Sequence, residues 1–488
     1  MTVTAKLQCV AAPETTTMKQ IKNQKTTAKV AIFAGAAALM ALTPQTHAQT
    51  SVDALLNKLE QKGILSVDEA KELKAENETN SVDDFNKALG AKFPTPDWVT
   101  SYKLYGDFRG RYDDINAGGP INGTSSFNGS ENQVRFRYRL RVGLTINMKD
   151  NTQVGFRLTS GDAASSSNTT GGGNPLANNS TFQGNATKKG VYVDAAYGKW
   201  TPINDGTWMV AGTIGKMDQP FQLSPMVFDP DYTPEGAALN STYKINDNNS
   251  LAFNSAAFVI NQFNTRDPFM YGGQVIWNAN WTPKVASSLG IAALDIDNIN
   301  QGAIAGGTTS DVGYDSNLGN TTKLVNGIPY LVNDYNPIIA DASVTYTLDR
   351  FPLYPGAFPV KLAGEYMDNP GAANNNRGWW VGGTIGKSGK KGMWDITYRY
   401  QWLEADAWWD QVVDDDNIAR FLTTPTSPTT ASAVGGTNIK GHLVKFNYSI
   451  FDSLTFTFTA FINDLIINPY PGQNTDAIHA MADLMWKF

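Results

Sequence analysis

At residues 134–144 the chain reads VRFRYRLRVGL, with an arginine at every second position from Arg135 to Arg141. Apolar or aromatic residues occupy most of the positions between them. A helix with 3.6 residues per turn would spread these cations around its axis, whereas a strand puts all of them on one face. The stretch is therefore predicted to be a β-strand with one cationic and one apolar face. Such a strand fits a soluble sandwich, or a membrane barrel with apolar residues towards lipid and polar residues towards an aqueous interior.

The overall composition is compatible with the barrel. The chain has 488 residues, 44 of them glycine, and 11% are aromatic. Its mean hydropathy of −0.30 is too polar for a bundle of membrane helices but suits strands that are only half apolar. A net charge of −6 does not suggest a nucleic-acid partner. Cys9 is the sole cysteine and precedes the predicted export signal, so we expect no disulfide, thiolate metal site or cysteine nucleophile in the mature protein.

The amino-terminal residues predict export. An apolar run at 30–42 (VAIFAGAAALMAL) follows four lysines and precedes Thr46-His47-Ala48, which is the pattern of a cleaved secretory signal peptide. The run is too short to cross a bilayer as a helix. We expect residues 1–48 to be a signal peptide with an amino-terminal extension, cleaved after Ala48, and Met18 is the more natural start. An uncleaved anchor is the alternative.

Residues 49–97 predict a helical periplasmic segment and a linker. Ser51 can cap a first helix, and Ser66 opens a capping box that ends at Glu69. The proline-containing stretch 92–97 (KFPTPD) is expected to be a stiff connection. Two roles stay open for this segment. In the first it makes contacts within a trimer or with the barrel wall, and in the second it is a hairpin that rests under the barrel.

From residue 98 to residue 488 the pattern predicts an all-β transmembrane fold, an antiparallel outer-membrane β-barrel of about 16 strands. Two strands are ambiguous, so this count could change by two. The predicted connections alternate between long polar loops, such as 161–189 and 404–439, and short turns, such as 147–151 and 451–453. A barrel with two different ends explains this alternation, whereas a soluble sandwich gives no reason for it.

The last predicted strand carries one apolar face that ends on Trp486 and Phe488. This pattern resembles the carboxy-terminal signal by which the bacterial barrel-assembly machinery recognises its substrates. We therefore expect Phe488 and Trp486 to serve as an assembly signal.

Several segments together resemble the family of outer-membrane porins of Gram-negative bacteria that carry a short amino-terminal helical hairpin. They are 55–70 (LLNKLEQKGILSVDEA), 106–112 (GDFRGRY), the arginine ladder at 135–141, 229–238 (DPDYTPEGAA) and 403–407 (LEADA). The resemblance covers nearly the whole mature chain and includes no catalytic signature. It implies an outer-membrane barrel, with lipid around it, through which small hydrophilic solutes diffuse passively. A homotrimer is expected by analogy, and no cofactor is expected.

Strand parity predicts which side chains line the pore. They are Arg109, Arg111, Arg135, Arg137, Arg139, Arg141, Arg157 and Asp107. Each guanidinium would cost roughly 2–4 kcal/mol at the middle of the bilayer, so we expect the seven arginines to face the lumen and to favour anions. Asp194, Glu365 and Asp395 are expected to point inward on other strands. The alternative is a network of salt bridges that only stabilises the wall.

The third predicted loop, 217–235, is a candidate constriction. It holds Asp218, Asp229, Asp231 and Glu235. If the loop folds into the barrel, as the third loop of general porins often does, these carboxylates would face the arginines across the lumen. The alternative is a surface cap with its acids in water.

Three other functional classes are alternatives to a diffusion pore. An enzyme is disfavoured because the mature chain has only His442 and His479 and lacks the G-x-S-x-G pattern, so no catalytic residue is expected. A substrate-specific channel for phosphate, another anion or a sugar stays open, and so does a surface β-protein for adhesion. The acidic run 414–416 is interpreted as solvated loop charge, and no metal site is expected.

Overall fold

A computed structural model describes residues 96–117, 132–162, 172–262, 267–299, 318–325, 328–421, 432–468 and 474–488. All of them belong to one compact unit, Thr95–Phe488. The predicted signal peptide and all but the last two residues of the predicted helical segment and linker lie outside the described residues. Within the described ranges, no helix combines the length and the apolar character that crossing a membrane requires.

The described chain is built from 21 strands. They are β1 (Val99–Ala117), β2 (Asn132–Met148), β3 (Thr152–Gly161), β4 (Ser180–Thr181), β5 (Gly190–Asn204), β6 (Trp208–Lys216), β7 (Glu235–Asn246), β8 (Asn249–Val259), β9 (Phe269–Thr282), β10 (Val285–Asp297), β11 (Thr322–Val325), β12 (Ile328–Leu331), β13 (Ile338–Leu348), β14 (Phe358–Asp368), β15 (Arg377–Gly386), β16 (Trp394–Leu403), β17 (Ile418–Phe421), β18 (Ser432–Gly435), β19 (Ile439–Phe451), β20 (Leu454–Leu465) and β21 (Ala477–Lys487).

Sixteen of these strands form one closed antiparallel barrel. Each wall strand pairs with its sequence neighbours in the wall, and β1 pairs with both β2 and β21, which closes the cylinder. The short strand β4 adds to β2, while β11–β12 and β17–β18 are separate hairpins within loops. The predicted 16-stranded barrel is confirmed.

Side chains alternate across the wall, as the sequence pattern predicts. On β2, Phe136 and Leu140 are 48% and 42% exposed on the outer face, whereas Arg139 between them is 6% exposed and points inward. The same alternation separates outward Tyr398 from inward Arg399 on β16. An outer surface of this composition is suited to hydrocarbon, and it leaves the polar side chains to the interior.

Two loops fold into the barrel and fill part of it. We call them L3 (residues 217–234, between β6 and β7) and L7 (the described residues 404–421 and 432–438, between β16 and β19). Their apolar side chains pack against inward apolar residues near the loop ends of the wall strands. This cluster includes Phe221, Met226, Val227 and Phe228 of L3, Ala407, Trp408, Trp409, Val412 and Val413 of L7, and Phe258, Met270, Ile339 and Met367 of the wall.

The seam between β1 and the end of the chain is closely packed. The backbone groups of Gly106 and Phe488 exchange two hydrogen bonds, with N···O distances of 2.9 Å and 3.1 Å. A Cβ added to Gly106 would lie 2.4 Å from the carbonyl oxygen of Arg141 and 2.5 Å from the Phe488 ring. Glycine therefore lets three chain segments approach at this point.

We predict that Gly106→Ala weakens the barrel by about 1–3 kcal/mol, because the backbone oxygen of Arg141 cannot move aside without disturbing the β1–β2 pairing. The measurement is the temperature at which the purified protein loses its heat-modifiable migration on a denaturing gel. Gly110→Ala is the matched control on the same strand, since a Cβ there would have no atom within 4 Å. Equal midpoints for the two variants would contradict the close packing at the seam.

Candidate functional site in the barrel lumen

The first two strands bring the predicted pore-lining arginines together. In their register Arg109 lies opposite Arg139, and Arg111 lies opposite Arg137. Like charges directly opposite one another destabilise a sheet, so this face requires carboxylates. Asp107, which lies opposite Arg141 on the same face, supplies the first of them.

Carboxylates on the wall each serve neighbouring arginines. Asp107 accepts hydrogen bonds from Arg139 at 3.0 Å and from Arg141 at 2.8 Å. On the same strand, Asp113 pairs with Arg135 at 2.8 Å and lies 3.5 Å from Arg137.

The remaining arginines of the predicted pore-lining set, Arg109, Arg111 and Arg157, have partners on other segments of the chain. Asp483 of β21 accepts a hydrogen bond from Arg111 at 2.8 Å. Arg109 donates to the side-chain oxygen of Asn179 at 2.7 Å, and its nearest paired carboxylate oxygen, on Asp483, is 3.9 Å away. Arg157 on β3 pairs with Asp194 of β5.

L3 contributes two of the four predicted constriction acids to the arginine face. Asp231 lies 3.0 Å from Arg139 and 3.7 Å from Arg141, and Asp218 lies 2.6 Å from Arg157. These carboxylates are in direct ion pairs with the wall and are not separated from it by open lumen.

The other two predicted constriction acids lie elsewhere. Asp229 is buried at the contact between L3 and L7, where its carboxylate accepts the backbone N–H of Asp415 at 3.2 Å. Glu235 is the first residue of β7 and is exposed, with its carboxylate 3.4 Å from Lys216. Neither pairs with an arginine of the ladder.

L7 is the functional element that the sequence did not predict. Its Asp416 accepts a hydrogen bond from Arg111 at 2.9 Å, so this loop also reaches the arginine face. The indole N–H of Trp408 donates to the carbonyl oxygen of Val227 at 2.9 Å, which joins L7 to L3. The interpretation of residues 414–416 as solvated loop charge is therefore wrong.

The sequence did contain a signal for this inward position. The stretch 407–413 (AWWDQVV) is largely apolar, and such a stretch in a loop indicates that it packs against protein.

Three carboxylates meet where L3 contacts L7. Ligand oxygens of Asp229, Asp414 and Asp415 all lie within 4.8 Å of one another. Desolvation by the surrounding protein, and then the neighbouring carboxylates, raise the pKa of Asp414 to about 6 and the pKa values of the other two well above their usual range. Calcium sites use six to eight oxygens. The expectation of no metal site stays a prediction.

The two histidines occupy opposite faces of the wall. His479 is buried inside, with one ring nitrogen 2.8 Å from a carboxylate oxygen of Asp113 and the other 2.7 Å from the carbonyl oxygen of Asp416. It therefore links β21 to β1 and to L7. His442 lies on the outer face, where a ring nitrogen is 2.9 Å from the Tyr398 hydroxyl. The expectation that neither is catalytic stays a prediction.

The predicted assembly residues lie at the seam. Phe488 is exposed and bonded to Gly106 through its backbone, and the Trp486 ring lies 5.8 Å from the Phe108 ring on the outer face. Their role in assembly stays a prediction.

The raised pKa values make the L3–L7 contact dependent on pH. Docked loops hold protons on these three carboxylates that separated loops would release, so the stability that the three contribute is fully present below the ordinary aspartate pKa of about 4 and is lost as the pH rises through about 6. We expect proteinase K to cut L7 at least about tenfold faster at about pH 8 than at about pH 5, after correction for the activity of the protease. Asp414→Asn should make this profile shallower, with Asp229 and Asp415 still titrating, whereas Asp247→Asn, in an exposed turn, should not change it. Identical profiles for wild type and Asp414→Asn would contradict the assignment.

Comparison with solved structures finds similarity to OprB of Pseudomonas putida at high pH, with 11% identity over 79% of this chain and 94% of that chain and a TM-score of 0.46. It also finds the outer-membrane channel DcaP of Acinetobacter baumannii (11% identity, 80% of this chain, 97% of that chain, TM-score 0.39) and a mutant porin of Rh. blastica (9% identity, 79% of this chain, 100% of that chain, TM-score 0.36). No curated protein matches the chain. The family model described as "Putative porin" matches residues 70–313, which is half of the chain. The chain therefore belongs to this porin family, and it is an outer-membrane β-barrel channel.

Proposed function

We propose that the barrel is a water-filled channel for the passive diffusion of small hydrophilic solutes, and that its arginine face favours anions. In this proposal the exported protein lies in outer-membrane lipid as a homotrimer, after insertion by the barrel-assembly machinery. The observation that carries the anion preference is the row of inward arginines on β1–β3. The wall-strand carboxylates that pair with them are fewer than these arginines, and some of them pair with two arginines each. Asp107 and Asp113 each serve two arginines, so the wall strands alone leave an excess of positive charge.

The position of the other inward acids supports a field across the lumen. Asp341, Glu365 and Asp395 lie on β13, β14 and β16, which are separated from the arginine strands by several wall strands in either direction around the cylinder. Positive charge on one side and carboxylates on another would orient polar solutes and disfavour apolar ones, whose passage disturbs ordered water. Asp218 and Asp231 of L3 and Asp416 of L7 dock on the arginines themselves and bring the paired carboxylates to seven for the seven arginines, so we propose a moderate anion preference.

A test of the proposal is the reversal potential of the purified protein in planar bilayers under a potassium chloride gradient. Wild type is expected to pass chloride better than potassium. The double variant Arg137→Gln/Arg139→Gln removes two inward cations and releases the charges of Asp107 and Asp231, so it should change the permeability ratio towards cations by about twofold or more. Asp231→Asn should shift it in the opposite direction.

Arg377→Gln is the matched control, because Arg377 is an exposed residue of β15 that pairs with Asp368. Its reversal potential should equal that of wild type. Unchanged potentials in the double variant would reject the arginine ladder as a selectivity element. A wild-type barrel that shows heat-modifiable migration but never conducts would reject the diffusion channel itself and would favour the adhesion alternative.

A further inference from the structure

One inward arginine of the described wall differs from all the others. Arg399 lies on the inner face of β16 and is only 6% exposed. Within the described part of the chain, every other wall arginine has a carboxylate in an ion pair, whereas Arg399 has none. Its Nε also lacks a hydrogen-bond partner there. A buried guanidinium without a counter-charge is costly, so the site requires an anion from outside this set of residues.

The surroundings of Arg399 are organised. Its guanidinium carbon lies 5.5 Å from the centre of the Trp380 ring, and this cation–π contact holds the side chain in place. Gln401, two residues further along the same inner face, is 1% exposed, and its Oε1 has no hydrogen-bond partner in the described chain. Glycines stand opposite both residues, Gly382 beside Arg399 and Gly441 beside Gln401. On the other neighbouring strand in each case, Leu443 of β19 lies opposite Arg399 and Trp380 of β15 lies opposite Gln401.

The nearby carboxylates are already engaged. Glu365 accepts the backbone N–H of Ser224 at 3.1 Å and also its hydroxyl. Asp414 accepts the backbone N–H of Asp416 at 3.1 Å. Desolvation raises the pKa of Asp414 to about 6, so near that pH its charge is only partly present. Both acids influence Arg399 through space without forming an ion pair with it.

We propose that Arg399, Trp380 and Gln401 form a binding subsite for a small hydroxylated carboxylate, of the chemical class of sugar acids and hydroxy acids. The planar carboxylate matches the donor fork of the Arg399 guanidinium. A hydroxyl group of the same molecule donates to Gln401 Oε1, which otherwise stays unpaired, and this second contact separates such an anion from chloride or acetate. The subsite rests on the proposed channel only for the entry of the anion into the lumen.

The experiment is isothermal titration calorimetry of the folded full-length barrel in detergent, with D-gluconate as the probe. Acetate lacks the hydroxyl groups, and D-glucose lacks the charge. Gluconate is expected to bind at least about tenfold more tightly than either, because both contacts are needed. Arg399→Gln should reduce the gluconate affinity at least about tenfold, while Arg377→Gln on the outer face should leave it unchanged. Gln401→Leu should lower the affinity for gluconate to that for acetate, and it should leave the affinity for acetate unchanged.

Two further variants keep the test decisive. If Arg399→Gln does not fold, judged by heat-modifiable migration, Arg399→Lys retains the charge without the planar fork and should show an intermediate loss. Asp414→Asn removes a competing negative charge and should strengthen gluconate binding.

Several results would overturn the subsite. They are gluconate binding that survives in Arg399→Gln, no gluconate binding in wild type, and inorganic phosphate that binds as well as gluconate and is insensitive to Gln401→Leu. Conductance of the same samples separates the two proposals. A conducting barrel that does not bind gluconate rejects the subsite and leaves the channel standing. Binding through Arg399 in a barrel that does not conduct rejects the channel and supports the subsite.

Discussion

The structure depends on the need to keep guanidinium groups out of hydrocarbon. A strand in a membrane barrel offers only two environments, and a shift of one residue in register exchanges them for every side chain. At roughly 2–4 kcal/mol for each arginine at the middle of the bilayer, the ladder of β2 strongly penalises the wrong register. The correct register then places Arg109 opposite Arg139 and Arg111 opposite Arg137, which creates a second requirement, for carboxylates inside the barrel.

Two inner loops help to meet that second requirement, and apolar packing holds them in place. Asp231 of L3 and Asp416 of L7 reach the arginine face, while Val227 and Trp408 bury apolar surface behind them. An ion pair in a hydrated lumen would contribute little by itself. Here the apolar cluster fixes the position of the loops, so the carboxylates are held near the guanidiniums without a further loss of conformational freedom. Charge and packing therefore act on the same two segments.

The sequence predicted the features that follow from local periodicity. The period of two along β2 predicted that its arginines point inward. The alternation of long and short connections predicted that the barrel has one end with long loops and one end with short turns. What failed was the interpretation of L7, because a loop has no period from which the direction of Asp414 or Trp408 could be read. The inward apolar residues near the strand ends, such as Met270 and Met367, were a usable signal. They indicated that something apolar lies inside the barrel, although not which loop supplies it.

Arg399 illustrates the same limit from the other side. Its inward direction was readable from β16, but its lack of an ion-pair partner among the described residues was not, because partners in a barrel come from distant parts of the chain. Arg111 is neutralised by residues more than 300 positions away along the sequence, whereas Arg399 faces Gly382 on one side and Leu443 on the other. Sequence fixes the face on which a charge lies, and only the closed structure decides whether that charge is neutralised. Among the described residues, closure leaves Arg399 buried and without an ion pair, and for that reason we propose it as the group that holds an anion.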